Sequence, residues 1–391
     1  MSPLLPLQRI VIVGASLAGT HAAEALRDRG FDGSLTVVGD EPHRPYDRPP
    51  LSKQLLGADA AATDVALPAA ETVDADWLLG TAATGLDLAR RTVRLDGGDE
   101  LPFDGLVIAT GVRPRRLPTL DGLPNVHTLR TLDDSARLSA ALQPGTHLLI
   151  VGAGFIGVEV ATAARARGCD VTIVSLDPPV AAAGPEVSAA CTDMLLAAGV
   201  RLRVGHKIAA ADDGAVTLDD GTIITYDNAL VAVGAVPNTE WLAGSGLDIA
   251  DGVLCDASLA AVGADGVVAA GDLARWPNPL AGGRPLRVEH WTNAVEHGAA
   301  AARTLLEGSG PGTVHASVPD FWSDHFGTRL QSVGFLRDAV RYEVVEGARA
   351  DRRFAATAHD EQGEVVGAVA YAMPRTIVRH RLALSRTGVT P

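Results

Sequence analysis

The chain repeats itself. QRIVIVGASLAGTHAAEALRDRG at residues 8–30 is matched by HLLIVGAGFIGVEVATAARARGCD at residues 147–170. In each copy a short β-branched run ends in glycine, alanine-rich helix-forming sequence follows, and a second strand comes after it, SLTVVGD or DVTIVS. Strand, glycine turn, helix, strand is a βαβ opening. Parallel strands need right-handed helical crossovers, so two such openings predict an α/β chain with two separate doubly wound units.

The duplication extends past the openings. RTVRLDGGDELPFDGLVIATGVRPR (91–115) places alternating strands around an Asp-Gly-Gly turn and then a buried apolar strand. GAVTLDDGTIITYDNALVAVGAVPN (214–238) repeats that order. A third strand-to-turn signal, DGVVAAGDLARW (265–276), returns the chain to the first unit, which is therefore discontinuous: 1–112 with 244–315, around a second unit at 113–243. From residue 316 the texture changes. FWSDHF, QSVGFL, RYEVVE and EVVGAVAYA read as an antiparallel sheet, a small α+β domain over 316–391.

Gly14, Ser16 and Gly19 follow the strand IVIV as GxSxxG, and Ala18 keeps the turn small. The first glycine allows a tight turn; small residues let backbone N–H groups approach a pyrophosphate at the helix N-terminus. About twenty residues on, at the end of the next strand, an acid is expected on the adenosine ribose. Asp40 stands there, with Glu41 as the alternative. Gly152, Gly154 and Gly157 complete a second fingerprint after LLIV. Two dinucleotide sites on one chain imply internal electron transfer. The second site departs from pattern, since its strand ends in Ser175 where NAD-preferring sites carry an acid, and SLDPPVAAAGP holds no Lys or Arg for a 2′-phosphate. If the loop bends back, Asp177 substitutes. The balance favours NAD and leaves NADP open.

Composition excludes other classes. With a formal charge of −14 the chain repels a nucleic-acid backbone. No stretch approaches the roughly 18 apolar residues of a membrane span, and MSPLLPLQRI runs into a strand without the features of a secretory signal, so a cytoplasmic protein is expected. Cys169, Cys191 and Cys255 form no dithiol pair and read as buried small hydrophobes. The 11 histidines, His290 and His297 included, show no metal spacing, so no metal site is expected. Ala18 stands where a nucleophile elbow needs glycine, which argues against hydrolase chemistry.

PYDRPPLSK (45–53) resembles the flavin-proximal segment of the oxygenase-coupled ferredoxin reductases. The resemblance continues, in family order, through ATGVRPR, HTLRTLDD, the second GxGxxG with GVE, VGAVPN, AAGDLARW, RVEHWTNAVEHG and FWSDHF. It implies FAD and a glutathione-reductase-like fold without the redox disulfide. It also places Arg48, Pro49 and Lys53 near the flavin ring, and Ala83, Thr110, Gly111 and Arg130 on the FAD. Gly271 and Asp272 then lie at the ribityl or phosphate region, with Glu289, His290 and Trp291 against the flavin. Asp272 also suits a helix N-cap and can serve both ends. Trp322 either approaches the flavin's other face or anchors its own domain. On the nicotinamide side the resemblance assigns Ile156 and Glu159 beside the glycines, and Gly234, Pro237 and Asn238 as a neighbouring turn. Lys53 and Glu159 are the candidate catalytic residues: a cation at the flavin N1–N5 edge stabilises the anionic reduced ring.

The activity so implied is hydride transfer from NADH, or NADPH, to FAD. Single electrons then pass to a two-iron (2Fe–2S) ferredoxin serving a cytochrome monooxygenase or a ring-hydroxylating dioxygenase. An oxidase or diaphorase, and a redox sensor of the apoptosis-inducing-factor kind, are the alternatives. Arg275, Arg284 and Arg287 near FWSDHF are candidates for a basic docking face, and a monomer or weak homodimer is expected.

Overall fold

The computed structural model describes residues 7–57 and 65–386. The first parallel sheet has the order Val267–Ala269, Gly105–Ile108, Arg9–Val13, Ser34–Gly39, Asp76–Leu79. The second has the order Arg201–Val204, Asp170–Ser175, His147–Val151, Asn228–Val231, Val126–His127. Their central strands are buried nearly end to end, as β-branched and leucine-rich runs covered on both faces must be. Each sheet has a matching antiparallel appendage, Ala83–Asp87 with Thr92–Leu95 and Glu100–Pro102, and Ile208–Asp212 with Ala215–Leu218 and Ile223–Thr225. The sequence repeat is thus a structural one.

Two crossings join the units. Val112–Pro114 pairs antiparallel with Ala235–Pro237. Just before them, the Thr110 hydroxyl donates to the Asn238 carbonyl at 2.7 Å and the Asn238 amide returns a bond to the Thr110 carbonyl at 2.8 Å. A double strand clasped at its base hinges less freely than two separate linkers.

The remaining sheet is antiparallel, in the order Asp320–His325, Thr328–Gly334, Val365–Tyr371, Arg353–His359, Arg341–Ala348, with the helix Pro374–Leu384 behind it. Arg353–His359 was not anticipated from sequence: RFAATAH lacks the alternation that marks a half-buried strand, because it lies inside the sheet with both faces covered. Among the described residues no helix is long and apolar enough to cross a membrane.

His297, His315 and His325 are buried and His290 half-buried. His297 packs edge-on to Trp276 and His315, with ring centroids 4.3 and 4.8 Å apart. Burial, the largest cause in each case, pushes His290, His315 and His325 from 6.5 to about 4 and His297 well below 6.5. A histidine with a depressed native pKa binds fewer protons folded than unfolded between those limits, so its stability contribution is full above 6.5 and is lost as pH falls toward 4. Urea unfolding is expected to show stability declining over that window, each histidine contributing at most about 1.4 kcal/mol per pH unit. His315→Leu should make the decline shallower. A pH-independent unfolding midpoint across the window would contradict this.

Candidate active site

Both glycine turns face the carboxyl ends of their sheets, where open α/β folds bind ligands. Gly14 has φ +120°, and a Cβ there would lie 2.1 Å from the Ala109 carbonyl oxygen; Gly152 has φ +104° and the same relation to Ala232 at 2.2 Å. Side chains are therefore excluded at the base of each turn. Ser16 and Gly154 stand at the N-caps of the helices Leu17–Asp28 and Phe155–Ala166 with no side-chain cap, leaving the first-turn N–H groups for an anion.

On the first turn the Ser16 hydroxyl accepts from Arg48 Nε at 3.1 Å. Arg48 also donates to the Arg130 carbonyl and to Glu41, each at 2.6 Å, and lies over the Tyr46 ring. Tyr46 donates to Glu41 and accepts from the Leu132 N–H. Glu41 is committed to Arg48 and Tyr46, whereas Asp40 is exposed at the strand end.

Deeper in the cleft, Arg130 reaches Asp272 at 3.2 Å, both of them partly buried. Burial pulls the Asp272 carboxyl up against the opposing field of Arg130. Asp272 is the middle residue of the short 3-10 turn Gly271–Leu273, whose N-cap is Ala270, so it does not take the N-cap place the sequence suggested; its carbonyl accepts from Arg287, which also holds Glu289 at 2.8 Å. His290 caps the helix Trp291–Glu307, and its buried Nδ1 has no protein partner. Trp291 donates to Asp47 at 2.6 Å and meets Trp322 edge-on at 6.0 Å. Pro49 begins the 3-10 turn Pro49–Ser52, Thr110 and Gly111 lie at the clasp, and Ala83 begins the hairpin strand beside the first sheet.

On the second turn Ile156 is 44% exposed beside Gly154, an aliphatic surface at the mouth of a nucleotide turn. Ser175 is buried and donates to the Asp177 carbonyl at 2.7 Å, so the loop does turn back there and leaves the Asp177 side chain exposed. Gly234 sits at φ +98° next to the Asn238 clasp.

Lys53 and Glu159 meet between the turns. Lys53 Nζ lies 2.8 Å from Glu159 Oε2, the side chains being 13% and 5% exposed. Glu159 also accepts from the hydroxyls of Ser52 and Ser323. Phe321 closes the junction, its ring 4.5 Å from Phe155 and 5.1 Å from His290.

One expectation fails. Arg275, Arg284 and Arg287 do not make a free basic face, because they pair with Asp248, Asp338, and Asp251 with Glu289 respectively. Opposite charges this close cancel the long-range field on which steering depends. Conversely, Tyr46, Asp47, Ser52, Ser323 and His325 stood within the motifs PYDRPPLSK and FWSDHF but were not singled out; only their partners in space reveal them.

The residues fit a flavin dinucleotide. The first cleft offers a turn no side chain can fill, unpaired helix N–H groups, a free carboxylate at the strand end and an orphaned buried imidazole nitrogen. The second offers the same turn with open space over Gly154, where a Cβ would meet nothing within 4 Å.

Residues 8–298 match the pyridine nucleotide-disulphide oxidoreductase model, and residues 320–390 match the reductase C-terminal model. The ferredoxin–NAD(+) reductase component of the p-cumate 2,3-dioxygenase system of Pseudomonas putida is 38% identical, over 98% of this chain and 95% of that protein. The corresponding component of the biphenyl dioxygenase system of Paraburkholderia xenovorans is 38% identical, over 84% and 81%. Among solved structures, putidaredoxin reductase in its covalent complex with putidaredoxin superposes with a TM-score of 0.90 at 30% identity, over 96% of this chain and 93% of that one. A ferredoxin reductase from Rhodopseudomonas palustris superposes with a TM-score of 0.88 at 33% identity, over 96% and 93%. The chain belongs to the pyridine nucleotide-disulphide oxidoreductase family, in its branch of oxygenase-coupled ferredoxin reductases.

Three outcomes follow from this geometry. A Cβ at Gly157 would lie 2.3 Å from the Gly152 carbonyl oxygen, so Gly157→Ala is expected to destabilise the fold by about 1–3 kcal/mol. Gly154 has φ −73° and open space, so Gly154→Ala should leave the melting temperature unchanged while raising KM for the nicotinamide nucleotide about tenfold. Glu159→Gln strands a buried lysine, and urea unfolding should show a loss of roughly 3–5 kcal/mol. A loss within the range of exposed pairs, below about 1 kcal/mol, would show that Lys53 finds other compensation.

Proposed function

We propose that this chain is a cytoplasmic FAD-dependent ferredoxin reductase that uses NADH and supplies a two-iron (2Fe–2S) ferredoxin of an oxygenase system. The observation that carries the reading is the Lys53–Glu159 pair at the junction of two dinucleotide turns. When bound, the flavin converts a two-electron hydride from the nicotinamide into single electrons for the ferredoxin.

The chain's own residues supply binding and electronics. Gly14, Ser16, Ala18 and Gly19 receive the FAD pyrophosphate, Asp40 the ribose, and Arg48, Arg130 and Asp272 the chain toward the ring, with Thr110, Gly111 and Ala83 around it. Glu289, His290, Trp291 and Trp322 border the ring. Gly152, Gly154, Ile156, Gly157, Ser175 and Gly234 hold the NAD. Lys53 presents its ammonium to the ring's reactive edge, and Glu159 holds that ammonium while facing the nicotinamide. The division into 1–112 with 244–315, 113–243 and 316–391 belongs to the same reading, as does a monomer or weak homodimer.

NADH is favoured over NADPH on electrostatic grounds. Residues 175–184 contain no Lys or Arg for a 2′-phosphate, and the His206 ring, beside Ser175 through its backbone N–H, is engaged by Asp219 at 3.1 Å.

A thiol route for the electrons is disfavoured. Cys169, Cys191 and Cys255 are buried and free, and burial pushes the last two up to about 12. No thiolate is poised to receive electrons or to reduce peroxide, which weighs against a peroxidase.

Stopped-flow flavin reduction is expected to prefer NADH by about tenfold or more over NADPH. Cytochrome c reduction should accelerate when a two-iron ferredoxin is added. If none of a panel of such ferredoxins accelerates it while oxygen uptake proceeds unaided, the chain is an oxidase instead.

A further inference from the structure

Glu159 is the end point of a hydrogen-bond chain that begins outside the nucleotide-binding sheets. Its Oε2 accepts from Lys53 and Ser52, and its Oε1 accepts from Ser323. Ser323 has one hydroxyl hydrogen, which goes to Glu159, so its oxygen is the acceptor for His325 Nε2 at 2.9 Å. The ring proton is therefore on Nε2. His325 Nδ1, left as an acceptor, takes the Tyr371 hydroxyl at 2.7 Å. Behind Tyr371 the Cys191 thiol lies against the phenol oxygen. Every donor in the series points toward the one carboxylate, so both of its oxygens are held from the protein side and its orientation is fixed.

The far end is closed. His325, Tyr371 and Cys191 are fully buried, and burial raises the Cys191 thiol to about 12. A proton entering at Glu159 finds no exit to solvent that way, so the series is not a conduit. What it does is orient and hold.

We propose that Ser323 and His325 are positioning residues for Glu159: their one-way chain, anchored on Tyr371, holds the carboxylate aimed at Lys53, so that the antiparallel domain adjusts the flavin's reactivity from behind the nicotinamide-site helix. This rests on the reading that Lys53 faces the flavin. It gives the third sheet a part in the chemistry through buried residues behind Glu159.

The test uses the full chain loaded with FAD, and reads the flavin reduction potential together with the rate of flavin reduction by NADH. Lys53→Met tests the underlying reading; Ser323→Ala and His325→Phe test the chain. Ser323→Thr and His325→Gln restore, respectively, a hydroxyl and a donor with an acceptor. Ser323→Ala and His325→Phe are expected to make the potential more positive, because a Glu159 carboxylate no longer held against Lys53 offsets its charge less beside the ring, and to slow reduction about tenfold. KM for NADH should stay within about twofold, and Ser323→Thr and His325→Gln should return the rate to within about threefold of the parent. If His325→Phe does not fold, Ser323→Ala decides alone. An unchanged potential and rate in Ser323→Ala, with Lys53→Met shifting both, would overturn the positioning role and leave the placement of Lys53 standing. An unchanged potential in Lys53→Met would overturn that placement first. Equal slowing by Ser323→Thr and Ser323→Ala would reduce the position to packing.

Discussion

A lysine and a glutamate that leave water together must find each other, because either one buried alone costs several kcal/mol. Lys53 stands where two consecutive 3-10 turns meet in the first unit, Glu159 on the nucleotide helix of the second, and Ser323 in the antiparallel sheet. Their meeting therefore constrains how the three parts sit against one another. The clasp of Thr110 with Asn238 adds a second constraint where the chain crosses between units.

The same economy governs the first cleft. Arg48 has donors enough for Ser16, Glu41 and the Arg130 carbonyl at once, and the guanidinium plane lies over Tyr46. By engaging Glu41 it distinguishes two adjacent acids that are chemically alike, leaving Asp40 at the strand end without that partner. Lysine, a single point charge, lacks the fork that this arrangement uses.

The repeat, the parallel sheets and both glycine turns were legible in the sequence because they rest on local rules: a positive φ, a close backbone approach, a buried β-branched run. The strand Arg353–His359 was not, since burial on both faces erases alternation. Nor was the engagement of Glu41 by Arg48 and Tyr46, which only the folded chain brings together. The chain reaches Glu159 from Ser323, 164 positions away, and through it from His325 and Tyr371 farther still, and no pattern of spacing announces it. Arg275, Arg284 and Arg287 misled for the same reason, as composition shows a cation but not the acid folded against it. In each case the missing information was a tertiary partner.

The central claim concerns where one ammonium group points. A crystal structure of the chain with FAD and NAD bound tests it most directly. The account requires Lys53 Nζ within hydrogen-bonding distance of flavin N5, still paired with Glu159, and the nicotinamide against the same region of the ring. A flavin seated with its reactive edge away from Lys53, the Lys53–Glu159 pair intact, would contradict it.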